Sequence, residues 1–440
     1  MNSQKNLLKL LILSSLWLLI LSPVFSNQTG SPWKNPPEKR TLENGLALVY
    51  QMDKSSEITV LHILIKGGKG AEPEGKRGLA YLTTRLALEI PDRGKVQDLM
   101  SQASRVYMMC RADYSIIGVE SLSENLEDTL KIVTKIILKP LFSGIRINLI
   151  KKMMTNLGKV EEDDSINVGH NAYLEKLFGK TAYGGSTYGS KASLKGIKTK
   201  DIKNFHKNYF KTGNMVLAVS SDMEEAPLMK VLNKYFSKFS QGNSPESKLN
   251  TAVIPEEKEF FIEKDTEQSF VSIGYPLPEI TTRNFALAYM LENLLGKGVG
   301  SRLWSLRFIE KLAYNVNSRA TLMKDGGFLE AYMETDKQKK EAALVALRKV
   351  LTDLYEKGIE NKELEVTKIY SKAAFLRNNQ AKGIRTQNLA YFEALGLGHE
   401  FLNKFFEEID SISLEDINSY IKDVLNPENR IEIVVGPKGD

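Results

Sequence analysis

The sequence predicts an α+β protein made of two tandem homologous α/β-sandwich domains, each an antiparallel-rich sheet packed by helices. Three observations carry that prediction. Ile197-Lys198-Thr199-Lys200-Asp201-Ile202 recurs as Ile412-Ser413-Leu414-Glu415-Asp416-Ile417, an offset of 215, and Asn214 recurs at the same offset as Asn429. Leu79-Ala80-Tyr81-Leu82 recurs as Leu287-Ala288-Tyr289-Met290, at offset 208. A period this long marks duplicated domains, because solenoid units repeat about every 20–50 residues. Within each half, β-branched runs and stretches of helical period follow one another.

In the first half, strands are expected over 46–52 (LALVYQM), 58–68 (ITVLHILIKGG), 105–122 and 215–221 (MVLAVSS). Helices fit 78–89, 124–138, 143–160, 168–178 and 199–210, where apolar residues recur three and four apart. The polar segment QGNSPESKLNTAVIPEE, 241–257, lacks apolar periodicity and reads as a linker. In the second half, strands fit 258–264, 267–275, 313–323, 326–335 and 430–435, and helices fit 281–295, 300–310, 336–357, 361–380 and 414–425. Short turns such as KDGG (324–327) join the long strands and favour antiparallel pairing.

Composition narrows the function. The 440 residues hold four histidines and one cysteine, so neither a cysteine-rich zinc module nor an intrachain disulfide framework is available. His62, His170, His206 and His399 are too far apart in sequence for any local pair of zinc ligands. Apolar residues make up 42% and charged residues 26%, enough for a real core. The net charge of +6 is a small difference between 60 basic and 54 acidic residues, and no dense basic run points to nucleic acid.

Residues 1–26 read as an export signal. Lys5 and Lys9 precede the apolar run Leu10–Leu21, Pro23 breaks it, and small residues lead to a cut near Asn27. The run is shorter than the roughly 20 residues a spanning helix needs. The expected organisation is a signal peptide (1–26), a first domain (27–240), a linker (241–257) and a second domain (258–440), in a soluble periplasmic protein.

Four segments then bring a family into view: ENGLALVYQMD (43–53), IKGGKGAEPEGKRGLAYLTTRL (65–86), residues 180–222, and GKGVGSRLWSLRFIEKLAYNV (296–316). In order and spacing the chain resembles the insulinase/pitrilysin-like (inverzincin) metallopeptidases. It is most similar to their short subunits related to the mitochondrial processing peptidase, which implies a LuxS/processing-peptidase-like fold. In that family a helix beginning Gly-Leu-Ala carries H-x-x-E-H, two zinc-binding histidines and a general base. Here Gly78-Leu79-Ala80 is followed by Tyr81, Thr84 and Arg85 at those three positions. A phenol, a hydroxyl and a permanent cation cannot supply two imidazoles and a carboxylate. The family's third ligand falls near Glu161 or Glu162, with Gly158 an alternative. The expectation is that this chain binds no metal and has no catalytic residue in isolation.

The resemblance also assigns a retained feature. The family's substrate-binding arginine and tyrosine, R-x6-Y, correspond to Arg307 and Tyr314, strong donors for a substrate carbonyl or an oxyanion. Gly296, Gly298 and Gly300 read as a turn ahead of the helix that presents Arg307, and they lack a phosphate-loop spacing. A lost zinc motif beside a retained Arg/Tyr pair resembles the heterodimeric members. It implies a non-catalytic subunit that serves a homologous, zinc-holding H-x-x-E-H subunit and an unfolded peptide, the peptide adding as a strand to a sheet edge. The alternative is a peptide-binding or scaffold protein of the same fold with no part in proteolysis. The other histidines are expected on a sheet face (His62), on a helix surface (His206), and as caps or surface residues (His170, His399). Cys110 is expected as a buried apolar residue, and 336–341 (DKQKKE) as an exposed helix start.

Overall fold

The computed structural model describes residues 33, 35–90, 92–179, 181–246 and 249–438. The expected signal segment, 1–26, lies outside the described residues. Two sheets organise the described residues from 37 to 438, which belong to one compact unit. The first contains β1 (Glu38–Thr41), β2 (Ala47–Met52), β3 (Ile58–Ile65), β4 (Arg105–Cys110), β5 (Ser115–Leu122) and β6 (Met215–Ser221), in the order β1-β2-β6-β3-β5-β4. The second contains β7 (Glu259–Glu263), β8 (Gln268–Leu277), β9 (Asn315–Thr321), β10 (Gly327–Asp336) and β11 (Ile431–Gly436), in the order β7-β11-β8-β10-β9.

The two orders superimpose once β1 is set aside, so the sequence echo is a repeat of topology. β6 and β11 take the same place. Each runs parallel to one neighbour (β2 or β7) and antiparallel to the other (β3 or β8). The expectation of antiparallel pairing therefore holds for most pairs and fails for β2·β6 and β7·β11.

The helices of the first half are α1 (Leu79–Ala87), α2 (Arg93–Ser101), α3 (Leu126–Leu138), α4 (Gly144–Asp163), α5 (Ser165–Phe178), α6 (Lys191–Gly196), α7 (Thr199–Tyr209) and α8 (Glu225–Phe236). Those of the second are α9 (Thr282–Gly296), α10 (Trp304–Phe308), α11 (Lys340–Lys357), α12 (Asn361–Asn378), α13 (Lys382–Ala394), α14 (Phe401–Ser411) and α15 (Leu414–Val424). The repeated aspartates start matching helices. Asp201 accepts the Lys198 N–H at 2.7 Å ahead of α7, and Asp416 accepts the Ser413 N–H at 2.8 Å ahead of α15. Each satisfies a backbone donor that the helix leaves open.

Each sheet is covered on one face by its own half and on the other by a helix borrowed from the other half. Leu61, Ile63 and Ile65 of β3 pack with Leu82, Leu86, Leu130 and Ile202 of α1, α3 and α7. On the opposite face lies α13, where Thr386 Oγ1 donates to Ser220 Oγ of β6 at 2.7 Å. In exchange α5 crosses to the second sheet, placing Tyr173, Leu174 and Leu177 against Phe270, Ile431 and Ile433. Double coverage explains why ITVLHILI is buried along nearly its whole length.

Several expectations need correction. Residues 105–122 are a hairpin of β4 and β5 with a turn at 111–114, not one strand. The helix expected over 300–310 is the short α10. Strand β1 and helices α2, α6, α8, α13 and α14 were not anticipated. His62 is on a sheet face as expected, buried, with Nε2 2.8 Å from the Tyr107 hydroxyl, and burial pulls its pKa down to about 4, so the ring is neutral. His206 is not a surface residue. It is half-buried, stacked on Phe210, with Nε2 donating to the Ile137 carbonyl at 2.8 Å. His170 is not a cap either, because it lies inside α5 with Nδ1 2.8 Å from the buried Glu330 carboxylate. His399 does sit at a helix boundary, where its N–H donates to Glu393. Cys110 is buried, which raises its thiol to about 12. In the 241–257 segment Asn250 is buried, and its side chain bonds Ala182 N–H, the Gly70 carbonyl and Asp325.

Candidate functional site

Helix α1 is where the two zinc-binding histidines and the base would stand. Its entry is tightly built. Gly78 has φ 94°, and a Cβ there would lie 2.9 Å from the Tyr188 carbonyl, so only glycine fits. The buried Glu72 carboxylate accepts from Gly78 N–H at 3.1 Å and Ala80 N–H at 2.8 Å, closing the helix N-terminus. Burial raises Glu72 to about 8 even though those N–H donors and the nearby Lys69 pull it down. Lys69 is buried too and lowered to about 8, with its Nζ donating to the Gly185 carbonyl at 2.8 Å.

The three motif positions are each engaged with their own neighbours. Tyr81 is half-buried and meets Tyr188 edge-on, ring centroids 5.0 Å apart. Thr84 is buried, and its hydroxyl donates to the Ala80 carbonyl one turn back at 2.9 Å. Arg85 pairs with Glu89 at 2.5 Å, and Arg146 of α4 holds the other oxygen of Glu89 at 3.0 Å. These side chains do not fit zinc. A cation occupies one ligand position, the hydroxyl is spent on the backbone, and the near carboxylate is shared by two arginines. Among the described residues no three histidine, cysteine, aspartate or glutamate side chains come together in a metal-holding group.

Of the third-ligand candidates, Glu161 faces inward. It lines a cavity, and its Oε2 accepts from Ser186 Oγ at 2.5 Å. Glu162 is exposed, and the position of Gly158 opens onto empty space.

That cavity has a volume of about 710 Å³ and lies between the two sheets' halves. Its lining includes the end of edge strand β4 and the turn after it (Cys110 to Tyr114), and β9 with its following turn (Arg319 to Met323). His170 lines it as well. Burial alone would raise Glu330 behind it, but His170 and Arg319 more than offset that and hold the carboxyl below its usual range. The pair fastens α5 to β10 while leaving the imidazole at the cavity.

A second cavity of about 450 Å³ adjoins the first, sharing Tyr289, Glu292 and Asn378. Arg307 lines it, with its guanidinium 5.6 Å from the Trp304 ring centroid. Gly298 and Gly300, with φ 88° and 95°, form the expected turn ahead of α10. Tyr314 does not join Arg307 there. It precedes β9, its N–H bonds the Glu334 carbonyl at 2.9 Å, and its side chain is 58% exposed, outside the lining of both cavities.

Residues 196–370 match the family model described as the peptidase M16 inactive domain. This span is similar to an M16 inactive domain. Arg307 and Tyr314 fall inside that span, whereas Tyr81, Thr84 and Arg85 fall outside it. Full-length similarity extends the match. The non-peptidase homolog YmxG of Helicobacter pylori is 24% identical over 382 residues, 85% of this chain and 88% of that one. The uncharacterized zinc protease YmxG of Bacillus subtilis is 20% identical, covering 92% of this chain and 99% of the relative. Among solved structures, a peptidase M16 inactive domain from Pseudomonas fluorescens superimposes with TM-score 0.83 at 19% identity, covering 92% of this chain and 98% of the other. The insulinase-like resemblance is therefore sound, and the altered α1 supports an inactive M16-like homologue.

Sequence reasoning missed Glu72, Lys69, Glu292 and Arg377 in this M16-like site. Glu292 had a usable signal: the offset of 208 carries Thr84 onto it. Arg377, which lines the smaller cavity, had none, because it reaches the site only through the packing of α12.

Proposed function

We propose that this chain is the non-catalytic subunit of an exported insulinase-like zinc peptidase, supplying Arg307 and Tyr314 to a homologous partner that carries H-x-x-E-H and holds the zinc. The observation that carries the reading is the contrast between two regions. At α1 every motif side chain is locked into its own pair, so chemistry there is closed. At the cavities the space stays open, lined by the end of edge strand β4 at Cys110 and by Arg307. An edge strand beside a cavity suits an extended peptide, whose main chain pairs with the strand while its side chains enter the space. Export rests on the sequence of residues 1–26. It is compatible with the lack, among the described residues, of any helix long and apolar enough to cross a membrane.

A second reading has one observation in its favour: Tyr314 lines neither cavity. On that reading the chain binds peptide or serves as a scaffold and takes no part in proteolysis.

The deciding experiment is co-purification with a chain of similar size that has an intact H-x-x-E-H. The expected result is a heterodimer whose peptidase turnover far exceeds that of the zinc subunit alone. A stable heterodimer with no gain in turnover would replace the first reading by the second.

A further inference from the structure

We infer that the smaller cavity is a carboxylate-binding subsite, in which Arg377 of α12 acts beside Arg307 to hold an acidic group of a bound peptide. This deepens the peptide-binding reading and rests on it.

The charge of the lining points to an anion. Arg307, Arg377 and Lys297 face the cavity against a single carboxylate, Glu292. Glu292 is already committed, with Lys297 Nζ 3.1 Å away, so the pair offsets its own charge and leaves the two arginines in excess. Neither Arg307 nor Arg377 pairs with a carboxylate among the described residues. Two unpaired cations in a concave space focus a positive field there.

The geometry then favours a planar anion. The Arg307 guanidinium lies 5.6 Å from the Trp304 ring centroid, within cation–π reach, a contact that uses none of its N–H donors. Asn317 accepts the Ser318 N–H through Oδ1 at 2.9 Å, so its amide N–H₂ is left as a donor to the same cavity. A fork of guanidinium N–H groups plus an amide donor matches the two oxygens of a carboxylate. The wall shared with the larger cavity (Tyr289, Glu292 and Asn378) makes a peptide the source, since a chain lying in one space reaches the other. The carboxylate can come from an acidic side chain or from the peptide's C-terminus.

The test is calorimetric titration of the full chain with short alanine-rich peptides blocked at both ends. One glutamate is walked along the sequence, each peptide is matched by its glutamine analogue, and a further peptide has a free C-terminal carboxylate. The expected result is a preference of about tenfold or more for one glutamate position or for the free acid, as a charge-assisted pair implies. The arm that shows the preference identifies the source. Arg377→Gln should bring the ratio near one while leaving the affinity for the neutral peptide unchanged, whereas Arg307→Gln should bring the ratio near one and weaken the neutral peptide as well, because Arg307 also serves the peptide main chain. Both residues are exposed, so unaltered thermal melts will exclude misfolding. Equal binding of charged and neutral peptides by the unsubstituted chain overturns the subsite and leaves peptide binding standing. A preference that survives both arginine substitutions also overturns it. No binding of any peptide overturns both.

Discussion

Arg385 of α13 forms an ion pair with Asp53, 332 residues earlier in the chain, at the end of β2. The side chains are only 7% and 11% exposed. Lys382, one turn back on the same helix, donates to the backbone carbonyls of Asp53, Ser56 and Ile58 at 2.9–3.1 Å. The cluster ties the borrowed helix to the first sheet. Burial would raise Asp53, but the Ser55 hydrogen bonds and the two cations hold it below the usual aspartate value. Arg385→Ala leaves that carboxylate buried and is expected to cost about 3–5 kcal/mol. Denaturant unfolding measures this. A loss under about 1 kcal/mol would show that the pair does not secure α13. The sign for pH follows from the depressed value: the contribution is complete above the ordinary aspartate range and is lost as pH falls below it.

Glu72 predicts the opposite slope. Its ordinary value of 4.5 is raised to about 8 in the fold. The folded chain then holds a proton that the unfolded chain releases between those values. Glu72's contribution to stability is full below about 4.5 and is lost as pH rises toward 8. Glu72→Gln mimics the protonated form, so the variant should gain on the natural chain as pH rises through this window. Unfolding midpoints at pH 4 and pH 8.5, about half a unit outside the window on each side, make the comparison. A difference that stays constant would mean that the N–H donors of Gly78 and Ala80 keep Glu72 ionised throughout.

How much of this was legible in the sequence depends on where each signal lies. ITVLHILI could be read as a strand because its pattern is local, and the Asp201/Asp416 echo could be read because a helix cap is local. Helix α13 was invisible for a physical reason. Its buried positions include Arg385 and Thr386, whose partners Gln51, Asp53 and Ser220 are 166 to 334 residues away. Apolar periodicity cannot register a polar face satisfied from across the chain. His170 escaped in the same way, since Glu330 is 160 residues distant. Helix α14 is different. FLNKFFEEI has a clear apolar stripe, and the signal was present but not used. At the site, α1's losses were readable from residue type alone, whereas the neighbours that fill them, Tyr188, Glu89 and Arg146, needed the fold.

The filled motif predicts indifference to metal. Zinc added to the purified chain should bind at well below one equivalent, and a chelator should leave the thermal midpoint unchanged, since a metal that stabilises a fold shifts that midpoint on removal. Arg85→Ala should cost about 1 kcal/mol or less, because the pair is partly exposed and Arg146 still holds Glu89. Atomic absorption and a melt with and without chelator are sufficient. One equivalent of tightly held zinc would mean that the positions of Tyr81, Thr84 and Arg85 are not the relevant ones.

Arg307 and Tyr314 give the sharpest test of the subunit reading, because neither has an evident structural task. Arg307 is exposed at a cavity and Tyr314 is exposed outside it, anchored only through its backbone N–H. Arg307→Ala and Tyr314→Phe should each change the stability of the isolated chain by less than about 0.5 kcal/mol. In the heterodimer, each should lower turnover by about 10²-fold, as removal of an oxyanion donor does. The two should differ in kind. Losing a transition-state donor lowers kcat and kcat/KM together, whereas losing a ground-state contact raises KM. Arg307 lies where peptide would rest, so it should show both effects. Tyr314 must be brought to the reacting carbonyl by closure against the partner, so its loss should fall on kcat alone. Unchanged turnover in both variants would leave these side chains without a catalytic task and favour the scaffold reading. A kcat effect for Tyr314 would establish that the side chain now facing solvent is covered when the two subunits close.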